Sequence, residues 1–200
     1  YAESIAIAVA VALLLRAFVV EAFKIPSGSM IPTLMIGDHI FVNKFTYGPL
    51  VPWTQSRVLD SLPPARGDIA VFKFPENEEQ DFIKRMIAIP GDRLEAIDGR
   101  PIINGWLVPH CRVGTYHYDG RDAELFVEFL GDYSYFTLYD NPPDDTTCAT
   151  SKDCPHAKSC RAGGCGVPQG PFQVKPDEAW VMGDNRNNSH DSRSWRGGLG

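Results

Sequence analysis

Residues 68–92 read DIAVFKFPENEEQDFIKRMIAIPGD. Two runs rich in β-branched and aromatic residues, 68–75 and 81–92, flank the polar stretch ENEEQ, which reads as a turn. The pair predicts an antiparallel hairpin whose second strand ends at Pro90-Gly91. Alternation in that strand puts Phe82, Lys84, Met86 and Ala88 on one face and Ile83, Arg85, Ile87 and Ile89 on the other. Lys84 then stands in an apolar row. One reading makes it an edge-strand lysine that blocks aggregation. The other makes it a buried amine. Burial disfavours the ammonium, and a fall in pKa from about 10.4 to about 8 costs roughly 3 kcal/mol. The result is a neutral base able to take a proton from a serine near neutral pH.

Outward from this hairpin, GDHIFVNKFTYG (37–48) reads as a strand between turn residues, and the Pro-rich stretch 49–67 as a surface loop. RLEAIDGRPIINGWLV (93–108) carries Asp98-Gly99, a hairpin turn between alternating runs. Residues 111–171 read as irregular, aromatic in the middle and Cys-rich at the end. EAWVMGDNRNNSHDSRSW (178–195) reads as a short apolar strand and a polar loop. No internal repeat is present. The pattern is a mainly β, antiparallel domain over 24–200, with a Cys-rich insertion around 111–171. The chain begins at Tyr1 and stops at WRGGLG, and reads as a fragment cut at both ends.

The N-terminal run SIAIAVAVALLLRAFVV (4–20) is apolar on every side. A membrane helix needs roughly 20 apolar residues, and the run approaches that if Arg16 reaches towards an interface. A transmembrane helix over 1–23 is expected; a signal peptide or a buried core helix are the rivals. Arg16 and Lys24 would place the C-terminal flank in the cytoplasm if counted alone, but the rule compares both flanks. The formal net charge of −6 comes with no basic stripe among aromatics, which argues against nucleic acid as a partner.

Cys148, Cys154, Cys160 and Cys165 cluster, and Cys111 stands apart. Zinc, with His156 as an extra ligand, is one reading. Only Cys160 and Cys165 approach the pair spacing of structural zinc sites. The rival is two disulfides stapling a polar excursion, which would place the domain outside the cytosol.

Ser27-Gly28-Ser29, in KIPSGSMIPTL (24–34), is by itself a linker signal. Beside a strand lysine on an apolar face it becomes a candidate nucleophile loop, because serine with lysine is a working variant of serine with histidine. Gly28 permits close backbone approach, and a backbone N–H with a neighbouring hydroxyl would hold an oxyanion. Met30 and Ile31 are expected to be exposed, meeting lipid or an apolar substrate.

Four blocks, IPSGSMIPTL, GDHIFVNKFTYG, RGDIAVFKFPENEEQDFIKRMIAIPGD and MGDNRNNSHDSRSWRG, together resemble the bacterial type I signal peptidase (leader peptidase) family in content and order. The resemblance implies a membrane-bound serine endopeptidase that removes signal peptides from exported preproteins, with no cofactor and no metal. It implies Ser29 as nucleophile, Lys84 as general base, Ser27 in the oxyanion hole and Ser189 orienting the amine. Asp191 and Arg193 match the family's structural acid–base pair. Shallow Ala-X-Ala pockets would be lined by Ile25, Pro26, Leu34, Ile40, Val71, Phe82 and Ile83. Implied partners are signal-peptide-bearing preproteins, membrane phospholipid and the secretion translocon. The implied location is the bacterial inner membrane, with the catalytic domain on the periplasmic or outer side. Asn187 departs from the family's usual Asp.

The rivals are weaker. A LexA-like self-cleaving Ser–Lys protease lacks a membrane helix. A Ser-x-x-Lys enzyme is excluded, since Met30 and Pro32 stand three after Ser27 and Ser29. Consecutive Ser189-His190-Asp191 side chains cannot converge into a triad. A calcium loop from Asp184 fails at Ser189 and Trp195. A membrane-tethered, disulfide-stapled binding domain without catalysis leaves Lys84 unexplained.

Overall fold

The computed structural model describes residues 1–44, 46, 62–97, 99–140 and 169–195; within these, the side chains of 14–18 are not described. The chain divides into two compact units, one formed by Tyr1–Pro26 and Ile36–Pro64, the other by Ser27–Met35 and Ala65–Gly200.

In the first unit, helix α1 (Ala2–Phe18) is followed by strands β1 (Val20–Lys24) and β2 (His39–Asn43), paired antiparallel with Lys24 opposite His39. The expected membrane helix over 1–23 is corrected here. The β-branched Val19-Val20 leads into strand pairing, so α1 ends at Phe18. Among the described residues, no helix is long and apolar enough to cross a membrane.

The second unit is built of antiparallel sheets. β3 (Ile69–Phe74) and β12 (Trp180–Met182) flank β4 (Asn77–Ala88). The hairpin expected over 68–92 is therefore present, with a tighter turn. Phe74 pairs with Asn77 across Pro75-Glu76, and the polar residues 77–80 extend β4 as exposed strand. β4 is a central strand, which removes the edge-lysine reading. β5 (Arg93–Ile97) and β6 (Arg100–Ile103) pair with Ile97 opposite Arg100, and Gly99 takes the positive φ of 78° that its turn requires. β7 (Trp106–Leu107) and β11 (Gln169–Gln173) complete that sheet.

Of the segment expected to be irregular over 111–171, residues 111–139 are corrected, and 141–168 lie outside the described residues. β8 (His110–Tyr118), β9 (Arg121–Leu130) and β10 (Tyr133–Tyr139) form a three-stranded meander. Asp119-Gly120 and Gly131-Asp132 make its turns, and Asp119, Gly120 and Gly131 all have positive φ. The charged residues within these strands, such as Glu124 and Glu128, break the apolar alternation that marks a strand. Cys111 on β8 is disulfide-bonded. The cluster Cys148–Cys165 and His156 lie outside the described residues.

The main core gathers Ile87, Ala88, Leu94, Leu130, Trp180 and Met182. Ile87 and Ala88 enter it together because the β4–β12 register shifts between Trp180 and Val181. A second cluster holds Phe74, Val181 and Trp195, against which Phe72, Phe82 and Met86 pack. Phe74 and Phe82 stack with ring centroids 4.4 Å apart.

Candidate active site

Gly28–Met30 form one 3₁₀ turn that lies against β4. Met30 and Ile31 are buried, not exposed as expected; Ile31 packs with Tyr118, Ala123 and Leu138. Burying that pair anchors the loop, and it leaves Ser29 facing β4. Lys84 Nζ lies 2.8 Å from Ser29 Oγ and donates a second bond to the Ile83 carbonyl at 2.9 Å. Lys84 is 4% exposed and Ser29 7%. The Phe82 ring sits 5.2 Å from the amine. Burial lowers the Lys84 pKa from 10.5 to about 8, against the opposing pull of the Asp191 and Asp184 carboxylates. Such an amine is neutral in a useful fraction of molecules near neutral pH.

The other side of the serine is held by residues 183–186. Asn185 N–H donates to the Ser29 carbonyl at 3.0 Å, and Asn185 Nδ2 donates to the Gly28 carbonyl at 3.1 Å. A Cβ on Gly183 would stand 2.5 Å from the Ser29 carbonyl oxygen and 2.3 Å from Ser189 Oγ, so only glycine fits there. Asp184 accepts two bonds from Arg85, at 2.8 and 2.7 Å, and one from Thr33. Arg186 donates to the Gly183 carbonyl at 3.1 Å and pairs with Glu128 at 2.7 Å, both partners being buried. Burial pushes the Glu128 carboxyl up, but the Arg186 charge and neighbouring hydrogen bonds hold it below its ordinary value.

The remaining residues expected at the site fall as follows. Ser27 is exposed and opens the 3₁₀ turn in extended backbone, making no side-chain cap bond. Asp191 and Arg193 form a two-bond pair, both at 2.8 Å, and Asp191 also accepts the Gly183 N–H at 2.9 Å. Burial raises the Asp191 carboxyl, and the Arg193 hydrogen bonds outweigh it. Ser189 does not bond the Lys84 amine; its Oγ is buried against Gly183 and beside Asp191. The second acceptor of the amine is the Ile83 carbonyl instead. Val71 and Ile83 are cross-strand partners, as are Phe72 and Phe82. Successive side chains alternate, so Ile83 and Phe82 lie on opposite faces of β4, as the sequence pattern predicts. Leu34 is half-buried, its N–H bonded to the Met30 carbonyl. Ile25, Pro26 and Ile40 belong to the first unit, where Ile25 exchanges backbone bonds with Gly37 and Asp38. Gly183, Asn185, Arg186 and Glu128 were not singled out from the sequence. Gly183 to Arg186 lay inside a quoted block, whereas Glu128 had no local signal.

A serine bonded to a buried lysine, with an acid–arginine pair behind it, agrees with the similarity of the whole chain to known proteins. The family model described as signal peptidase, peptidase S26, matches residues 1–199. The chain belongs to the signal peptidase S26 family. The chain is 37% identical to signal peptidase I of Pseudomonas fluorescens over 186 residues, covering 92% of this chain and 58% of that protein. It is 34% identical to signal peptidase I of Pseudomonas aeruginosa over 194 residues, with the same two coverages. Against signal peptidase I of Rickettsia canadensis the identity is 33% over 201 residues, 96% of this chain and 71% of the relative. This S26 chain thus spans little more than half the length of the two Pseudomonas relatives.

Proposed function

We propose that this protein is a membrane-associated serine endopeptidase that removes signal peptides from exported preproteins, with Ser29 as nucleophile and Lys84 as general base. The single observation that carries the reading is the 2.8 Å contact between Lys84 Nζ and Ser29 Oγ in a water-poor setting. With the amine neutral, the serine O–H donates to Nζ. Ser29 Oγ attacks the scissile carbonyl carbon as its proton passes to Lys84. The Ser29 N–H and the Ser27 hydroxyl stabilise the oxyanion. Collapse breaks the peptide bond, and the ammonium returns its proton to the departing amine. A water then hydrolyses the acyl-enzyme, again through Lys84.

Asp191 and Arg193 keep residues 183–193 in place behind the dyad. Ser189 fills the space between Gly183 and Asp191 and limits where the amine can move. Small side chains in the substrate are selected by an apolar wall that includes Leu34, Val71 and Ile83. Association with phospholipid is supported by α1, on which Ile5, Ile7, Val9, Val11 and Leu13 are exposed. An inner-membrane location with the catalytic unit outside the cytoplasm, and access to translocon-delivered substrates, follow from that function.

The test is cleavage of a secretory precursor by the full-length protein in detergent. Ser29→Ala is expected to abolish cleavage while the protein remains folded, as far-UV circular dichroism would show. Cleavage retained by the purified variant refutes the nucleophile assignment.

A further inference from the structure

The three-stranded meander β8–β9–β10 supplies none of the reacting groups, yet one of its side chains reaches the serine loop. Tyr118, at the end of β8, is 6% exposed and packs with Ile31, Ala123 and Leu138. Its hydroxyl accepts a bond from Asn185 Nδ2 at 2.9 Å. The other N–H of the same Nδ2 goes to the Gly28 carbonyl at 3.1 Å, while the Asn185 backbone N–H holds the Ser29 carbonyl at 3.0 Å. Asn185 is wholly buried. We propose that Tyr118 is a positioning residue for Ser29, acting through Asn185. The proposal rests on the reading of Ser29 as nucleophile.

The physical argument is one of restraint. With both N–H groups of Nδ2 engaged, the Asn185 carboxamide cannot rotate without breaking a bond in a dry environment. The Gly28 carbonyl is then held fixed, and with it the 3₁₀ turn that aims Ser29 Oγ at Lys84. Take away the Tyr118 hydroxyl, and one buried N–H loses its acceptor. The carboxamide then re-orients or draws in water, and Gly28 is restrained by a single weakened bond. Reactive geometry is sensitive to displacements well under an ångström. Tyr118 is buried and offers a substrate almost no surface, so substrate binding is expected to be spared.

Tyr118→Phe keeps the ring and its packing, so it isolates the hydroxyl. In the full-length protein, peptide cleavage is expected to show kcat lowered about tenfold with KM within about twofold of wild type. A purely structural residue would lower the unfolding temperature without splitting kcat from KM. Asn185→Ala is the partner variant. The double variant is expected to be no slower than Asn185→Ala alone, because both act through one chain of bonds. Amide hydrogen exchange over residues 27–30 is the readout independent of catalysis. It is expected to quicken in Tyr118→Phe while exchange in β4 stays unchanged. Unchanged exchange and kcat in Tyr118→Phe, or additive losses in the double variant, overturn the proposal. If the wild-type protein cleaves no precursor, the proteolytic reading fails, and exchange over 27–30 alone decides whether Tyr118 restrains the turn.

Discussion

Replacing Lys84 by methionine removes the titrating amine while keeping an unbranched chain of similar length. The buried Lys84 ammonium has a pKa near 8 against 10.5 in solvent, and that gap amounts to roughly 3 kcal/mol of folding free energy. Below about pH 8 the lysine is protonated in both folded and unfolded chains, so the whole cost of burying the charge is present. Between about pH 8 and 10.5 the unfolded chain binds more protons than the folded one, and wild-type stability rises with pH. Above that window the cost is gone. The methionine variant has no such titration, and every other group cancels in the comparison. It does lose the bonds from the amine to Ser29 Oγ and the Ile83 carbonyl, an offset of about 1–2 kcal/mol at any pH.

Lys84→Met is therefore expected to be inactive yet more stable than wild type by about 1–2 kcal/mol at neutral pH. This advantage should vanish or reverse by about pH 10.5. Urea unfolding of both proteins across that range measures it. In parallel, wild-type kcat/KM should climb with pH on a limb near 8, since protonation removes the base, and His190→Ala should leave that limb in place. A stability difference that does not change with pH, or a variant already less stable at neutral pH, would refute the buried-ammonium argument.

Gly183→Ala should lower kcat by about a hundredfold or more, since the new methyl collides with the Ser29 carbonyl and Ser189; steady-state kinetics on a folded variant decides. Glu128→Gln should destabilise the fold by about 3–5 kcal/mol by leaving the buried Arg186 charge without its partner, and a loss below about 1 kcal/mol in denaturant would sink that account. A substrate series with Ala, Ser, Leu, Phe and Arg at the first and third positions before the cut should favour Ala and Ser. Efficient turnover of Phe or Arg at the first position would overturn the shallow-pocket model.

The pairing of Lys84 with the SGS loop, 55 residues away, is an expectation that the family resemblance implies, whereas the sequence by itself determined the hairpin and the lysine in its apolar row. These are legible because strand alternation, turn chemistry and short motifs are local signals, carried by residues close together in the chain. Only the tertiary structure decided that β4 is central, that Met30 and Ile31 turn inward, and that residues 110–139 form a sheet. Only it decided which side chains stand behind the serine. Gly183 and Asn185 meet Gly28 and Ser29, and Tyr118 meets Asn185, across large gaps in sequence, and Glu128 meets Arg186 across 58 residues. Such partners are selected by shape and by the need to satisfy buried polar groups, and those demands exist only once the chain has packed.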